Sequence, residues 1–332
     1  MIRTARRTAV ALATALLIPL PALAQDKVTL RMSTPASETD QRSVALAEVF
    51  APAVAEFADY EPHYNASLIA QGSELEAIAG GDLEMSIASA QELATFFPEF
   101  SIFATGYVHQ DAEHQVRVFE DELMDPFKET VEEELGVKLL AVMYLGRRHV
   151  NLRQPREEID VRTPEDLEGV NLRMPGTDAW QFLGRALGAN PSPLAFTEVY
   201  TALQTGSVDG QDNPLPTVVD SKFYEVTNQI ALTSHLVDLN YVAMSKEVFD
   251  ALTPEQRETV ANAAKDAAES GRRAQLAKEE ELVSFLEEEG LEVYEPDVAA
   301  FREHVQGEYE GSEFAESWPE GVLERINELG DD

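Results

Sequence analysis

Apolar residues recur along this chain with two periods, and the changes of period mark where elements begin and end. Positions 27–32 alternate and are rich in Val and Leu, which predicts a strand. Over 41–57 the apolar positions are Val44, Leu46, Val49, Phe50, Val54 and Phe57, the spacing of an amphipathic helix. A short helix over 74–79, closed by Gly80-Gly81, and a strand over 83–88 leading into Ser89-Ala90-Gln91 follow. Strand, helix and strand joined by short links predict a parallel sheet with helices on its faces. Phe96, Phe97, Phe100 and Phe103 crowd around Pro98 and are expected in the core. The pattern over 111–133 is helical, with Asp111 as its N-cap and an interruption at Pro126. The apolar run 137–144 then reads as a strand that passes directly into Gly146-Arg147-Arg148-His149-Val150-Asn151-Leu152-Arg153.

The second half is organised around positions 169–213. Thr163-Pro164-Glu165-Asp166 starts a helical turn, with Thr as cap, Pro in the first turn and acids favoured by the dipole. A short strand over 170–174 carries Arg173 almost at its end. After a turn at Pro175-Gly176 comes a helix over 177–188, a Pro-broken link, a helix over 197–205 closed by Gly206, and a strand over 207–211. An arginine at the carboxyl end of a strand beside a helix start stands where open α/β sheets receive ligands. Positions 241–244 form a further strand. Thr253-Pro254-Glu255-Gln256 then opens a helix with a capping-box Gln that runs to about Gly290. At 1.5 Å per residue it is roughly 50 Å long, enough to pass two domains, and Gly271 is its expected bend. No internal repeat or flexible tether is visible.

Composition narrows the function. The chain has 332 residues, enough for two cores. Arg3, Arg6 and Arg7, the apolar run 9–20 and Ala22-Leu23-Ala24 make an export signal cleaved after Ala24, too short for a spanning helix. The expected location is the periplasm, without insertion into the membrane. With no cysteine, disulfides and thiol chemistry are excluded. The formal charge of -36 repels nucleic acid and anionic lipid, and an acidic run such as Glu287-Glu288-Glu289 reads as a solvated face in a salty habitat.

Enzyme signatures fail. The chain carries no phosphate loop and no nucleophile elbow. His109 and His114 are spaced so that a helix would point them about 140° apart, away from a shared metal. Neither a metal nor a cofactor is expected. Arg147, Arg148, Arg153, Arg156, Arg162 and Arg173 fall in a stretch that also holds six acids, so it is neutral within this very acidic chain and a candidate for receiving an anion. Arg173 differs from the rest in having apolar strand neighbours, which imply burial. A buried guanidinium needs a carboxylate, either internal or a ligand's.

GVNLRMPG, PLAFTEVYTALQTGSVDGQDNP and KFYEVT from Lys222 to Thr227 resemble the DctP-type substrate-binding proteins of tripartite ATP-independent periplasmic (TRAP) transporters. The likeness extends from the N-terminal signal to about Phe285. It implies a two-domain α/β periplasmic-binding-protein fold of the Venus-flytrap type, with a hinged cleft and the long C-terminal helix spanning both domains. The implied division is 25–150 plus 239–278 for the first domain and 151–238 plus 279–332 for the second. It implies that Arg173 clamps a ligand carboxylate, that Arg153 and Asn213 add hydrogen bonds, and that Phe196 forms an aromatic wall. Trp180, one turn from the strand end, either covers the ligand or packs its own helix. The expected ligand is a small organic acid, whether sugar acid, dicarboxylate or hydroxy acid. The expected partners are the small and large TRAP membrane subunits, and the receptor is expected to be a monomer. A zwitterionic solute such as ectoine, or an enzyme, would be the alternatives.

Overall fold

The computed structural model describes residues 27–331, so the export signal expected over 1–24 lies outside it. Nine strands form one sheet: β1 (Val28–Ser33), β2 (Ala58–His63), β3 (Met85–Ser89), β4 (Val137–Leu152), β5 (Asn171–Met174), β6 (Asn190–Pro193), β7 (Gly210–Asn213), β8 (Gln229–Ser245) and β9 (Glu292–Tyr294). Their order is β2-β1-β3-β8-β4-β7-β5-β6, with β9 also on β8. The outer strands β1, β2 and β3 pair in parallel, as do β5, β6 and β7. Between the two parallel groups β4 and β8 run antiparallel over almost their whole length.

That central pair is longer than the periodicity suggests. The strands expected over 137–144 and 241–244 are segments of β4 and β8, which pass from one half of the molecule to the other without leaving the sheet. The register shifts between Leu139 and Ala141, between Tyr144 and Gly146, and between Arg148 and Val150. Such bulges turn a strand and re-aim its side chains, so one strand can serve two differently oriented half-sheets. Two edge strands escape the sequence reading. β2 lies just beyond the helix expected over 41–57, in a stretch given no element, and β6, NPSP, lies in the Pro-broken link; each carries proline at a sheet edge, where a missing N–H costs no ladder bond.

The helices mostly form where expected, and their caps explain the exceptions. The 111–133 helix breaks at Asp121, ahead of Pro126, because the Asp121 side chain caps a short 3-10 turn, Glu122–Met124, before the next helix, Asp125–Glu134. The first helix contains a π-helical turn, Leu46–Phe50.

Leu30, Met32, Phe50 and Met85 pack beneath Val260, Ala264 and Ala267 of the long helix Pro254–Glu288. Its far end inserts Leu286 among Val199, Leu203 and Phe223 of the other half. The helix therefore spans both halves, and it is unbroken at Gly271. A Cβ there would come within 3.3 Å of the Ala45 Cβ, so glycine lets the first helix approach closely. The four phenylalanines lie in or against the core of the first half, Phe100 and Phe103 both edge-on to Phe127. His109 and His114 are buried with ring centroids 5.3 Å apart. The helix starts at Ala112, beyond His109, so the angular argument against a shared face does not apply to them. The C-terminal helix Val322–Gly330 returns to the first half: Ile326 and Leu329 join its core, and Arg117 Nε donates to the Leu329 carbonyl at 2.7 Å.

Candidate functional site

Residues of both halves line a cavity of about 80 Å³, which shares Gln71, Glu92 and Pro175 with a larger neighbouring cleft. From the first half it receives the loop after β1 (Thr34 to Ser37), Asp40, Arg42, Ser89 and Glu92; from the second, Arg173, Pro175, Trp180, Phe196, Asn213 and Thr217. Ser89 ends β3 and caps the turn that carries Glu92 in a capping box. The loop after β1 and the turn after β3 both face the cavity. Gln71 Oε1 accepts from the Phe196 N–H at 2.7 Å across the gap, so the halves are in contact.

Arg173 stands at the end of β5 and is 1% exposed. Its Nε and Nη2 both donate to the Leu194 carbonyl, at 2.9 and 2.7 Å. No carboxylate among the described residues forms a salt bridge with it. Burial pushes its pKa down to about 9, with Arg148 lowering it further and Asp212 opposing, so at neutral pH the group is still a cation. Its guanidinium lies 5.9 Å from the centre of the Phe196 ring.

Arg148 is the contrasting case, and sequence reasoning passed over it as one of several arginines. Its Nε donates to Asp212 Oδ2 and its Nη1 to Asp238 Oδ2, both at 2.7 Å, and its Nη2 to the Asp212 carbonyl at 2.6 Å. It also lies 4.5 Å over the Trp180 ring. Despite the cost of burial, the guanidinium and the His235 hydrogen bond hold the Asp212 carboxyl well below the usual range, while burial dominates at Asp238 and pushes it up. Trp180 packs in the core with Leu183 and Phe301, and it also lines the cavity.

Asn213 is oriented by a chain of amides along the sheet. Gln229 Nε2 donates to the Gln154 and Ile159 carbonyls, and Asn151 Nδ2 to the Gln229 carbonyl. Gln211 Nε2 therefore meets Asn151 Oδ1, and Asn213 Nδ2 meets Gln211 Oε1. Anchored on backbone carbonyls, the chain leaves the Asn213 Oδ1 and a second amide hydrogen for the cavity.

Arg153 does not join them. It lies one residue beyond β4, and its guanidinium lies against the turn at Gly206, where a Cβ would approach Nη2 to 3.1 Å. The third cavity arginine, contributed by the first half, is Arg42, which binds Asp40 through Nε and Nη2 and reaches Asn240 through Nη1. The only sequence signal for Arg42 is its place just inside the helix that follows the first strand.

Among the described residues no helix is long and apolar enough to cross a membrane, and no group of His, Cys, Asp and Glu is arranged to hold a metal. Two half-sheets joined by shared strands, a cleft between them and a buried unpaired cation define a two-domain solute-binding protein. Residues 37–316 match the model of the bacterial extracellular solute-binding protein family 7, DctP, and the chain belongs to that family. It is 32% identical over 235 residues to the sialic acid-binding periplasmic protein SiaP of Vibrio cholerae, covering 71% of this chain and 72% of that one. Against the 2,3-diketo-L-gulonate-binding periplasmic protein YiaO of Escherichia coli it is 28% identical, covering 77% of each. A crystal structure of a TRAP periplasmic solute-binding protein from Roseobacter denitrificans with bound 3-deoxy-D-manno-oct-2-ulosonic acid (KDO) superposes with a TM-score of 0.91 at 80% identity, over 92% of this chain and all (100%) of that one.

Proposed function

We propose that this protein is a periplasmic receptor, not an enzyme, that captures a sugar acid between its two halves and delivers it to TRAP membrane subunits. The observation that carries this reading is Arg173. A buried guanidinium with no internal carboxylate is costly to the fold unless an anion completes it. The ligand carboxylate meets the Arg173 guanidinium, Asn213 and Thr217 add hydrogen bonds, and Phe196 and Trp180 contact the carbon skeleton. Trp180 and Phe196, the rings that a zwitterion's cationic end would need, already lie under guanidinium groups, which disfavours an ectoine-like solute.

The halves divide near Gly146 in β4 and Asp238 in β8, close to the division 25–150 plus 239–278 and 151–238 plus 279–332, with the helix Val322–Gly330 assigned to the first half on its packing. Hinge motion there opens and closes the cleft, and closure removes water from the charged contacts. The export signal is removed after Ala24, and the receptor works as a monomer.

KDO is the first ligand to test, because a chain 80% identical holds it. Calorimetry is expected to show saturable binding of one KDO, and Arg173→Ala is expected to weaken it at least tenfold with the circular dichroism spectrum unchanged. A charge-assisted hydrogen-bonded pair contributes about 1.5–3 kcal/mol. Equal affinity in the variant would remove Arg173 from the site.

A further inference from the structure

We propose that Glu92 is the residue that restricts this receptor to solutes with a single carboxylate and a hydroxylated far end. The inference rests on the receptor reading above and adds what the rest of the cavity selects.

The starting point is where the cavity's positive charge goes. Of its three arginines, Arg148 is held by Asp212 and Asp238, and Arg42 by Asp40, with Nε to Oδ1 at 2.9 Å and Nη2 to Oδ2 at 2.8 Å. Lys278, nearby on the long helix, faces Asp220 at 3.5 Å. Only Arg173 is left without a carboxylate, so the cavity has a place for one anionic group.

Glu92 is the reverse case. Its Oε2 accepts from the Ser89 N–H at 2.8 Å, and no Lys, Arg or His among the described residues forms a salt bridge with it. Glu92 enters the cavity from the first half, after β3, and Arg173 from the second, at the end of β5, so the two line it from opposite sides. Burial pushes the Glu92 carboxyl up, and the neighbouring Glu74 is pushed up to about 8 by burial and by Glu92, so this side of the cavity already resists negative charge before any further anion arrives. The Thr217 hydroxyl, 7% exposed and lining the same cavity, has no hydrogen-bond partner.

An acceptor without a cation and an unpaired hydroxyl match the groups of a polyol. Solute hydroxyls donate to Glu92 and exchange a bond with Thr217, and each otherwise unmet polar group is satisfied. A second carboxylate brought to Glu92 would place two anions together in a site whose remaining cations are already paired.

The test uses two acids of one carbon skeleton, galactonate and galactarate, which differ in whether the far end is a hydroxymethyl or a carboxylate. Glu92→Gln keeps the capping box, because Gln serves at that position as Glu does. Calorimetry with the wild type is expected to favour galactonate by at least about a hundredfold. In the variant that ratio is expected to fall at least tenfold, chiefly through tighter galactarate binding, while KDO binding persists. A folded Glu92→Gln protein that gains nothing toward galactarate overturns the role of Glu92 and leaves the receptor reading intact. A wild type that binds none of KDO, galactonate and galactarate overturns both.

Discussion

Arg173 and Arg148 lie near each other, are equally cut off from water and have opposite roles, because one has two carboxylates within reach and the other has none. Sequence context predicted burial for Arg173 and left open whether its partner was internal. It had no means to pick out Arg148, whose carboxylates come from β7 and β8, 64 and 90 residues away. Arg153 is the opposite case. It follows a buried strand and looks well placed, yet past the end of β4 its side chain turns to Gly206. Arg153→Ala is therefore expected to leave sugar-acid affinity within about twofold of wild type, since it removes no cavity donor. A tenfold loss by calorimetry would return it to the site.

At the scale of elements the controlling feature is the β4–β8 pair. The bulge at Tyr144–Gly146 is gripped from above by the long helix: Tyr144 Oη donates to Glu279 Oε2 at 2.7 Å, and the Arg147 N–H to Glu279 Oε1 at 2.8 Å. Gln275 Nε2 bonds the Leu145 carbonyl beside them. Gly146 has φ of +131°, and a Cβ on it would fall 2.5 Å from the Pro214 Cβ. Gly146→Ala is expected to cost about 2–3 kcal/mol, from backbone strain and overpacking together. Urea denaturation would measure it, and an unchanged midpoint would mean that the crossing is not held in this conformation. The sequence reading runs the strand over 137–144 directly into residues 146–153. It could not show that the chain crosses as a strand, because bulges leave the hydrophobic period of each segment intact and change only the register between them.

For the molecule as a whole, stability is tied to proton binding by buried histidines rather than by the acidic surface. Burial pushes His109 and His149 each down to about 3, with His114 and His235 respectively adding to the effect. A histidine whose folded pKa is depressed binds fewer protons in the native state than in the unfolded one. Stability is then complete above the ordinary value near 6.5 and is lost as pH falls from there toward 3. Each ring contributes a slope of up to about 1.4 kcal/mol per pH unit in that window. Glu74, pushed up to about 8, works the other way over the same window, so the histidine part is read as a difference: the denaturation midpoint of the wild type is expected to respond to a drop from pH 7 to 4.5 less favourably than that of His149→Gln. Identical pH profiles for the two would show that His149 takes up a proton within the fold.

Local pattern alone determined the αβ alternation, the caps at Asp111, Thr177 and Thr253, the helix-closing turn at Gly206 and the long helix, because each follows from the preferences of a few adjacent residues. The motif around Arg173 likewise identified the strand end that faces the cavity. Tertiary structure alone decided what sits opposite it. The edge strands β2 and β6 exist because a neighbouring strand offers them hydrogen bonds, and the return of Ile326 and Leu329 to the first half depends on a surface built more than two hundred positions earlier. Whether an arginine is paired or left for a ligand depends on carboxylates brought in by other strands. Charge pairing acts over a few ångströms in space, and a sequence records only distance along the chain.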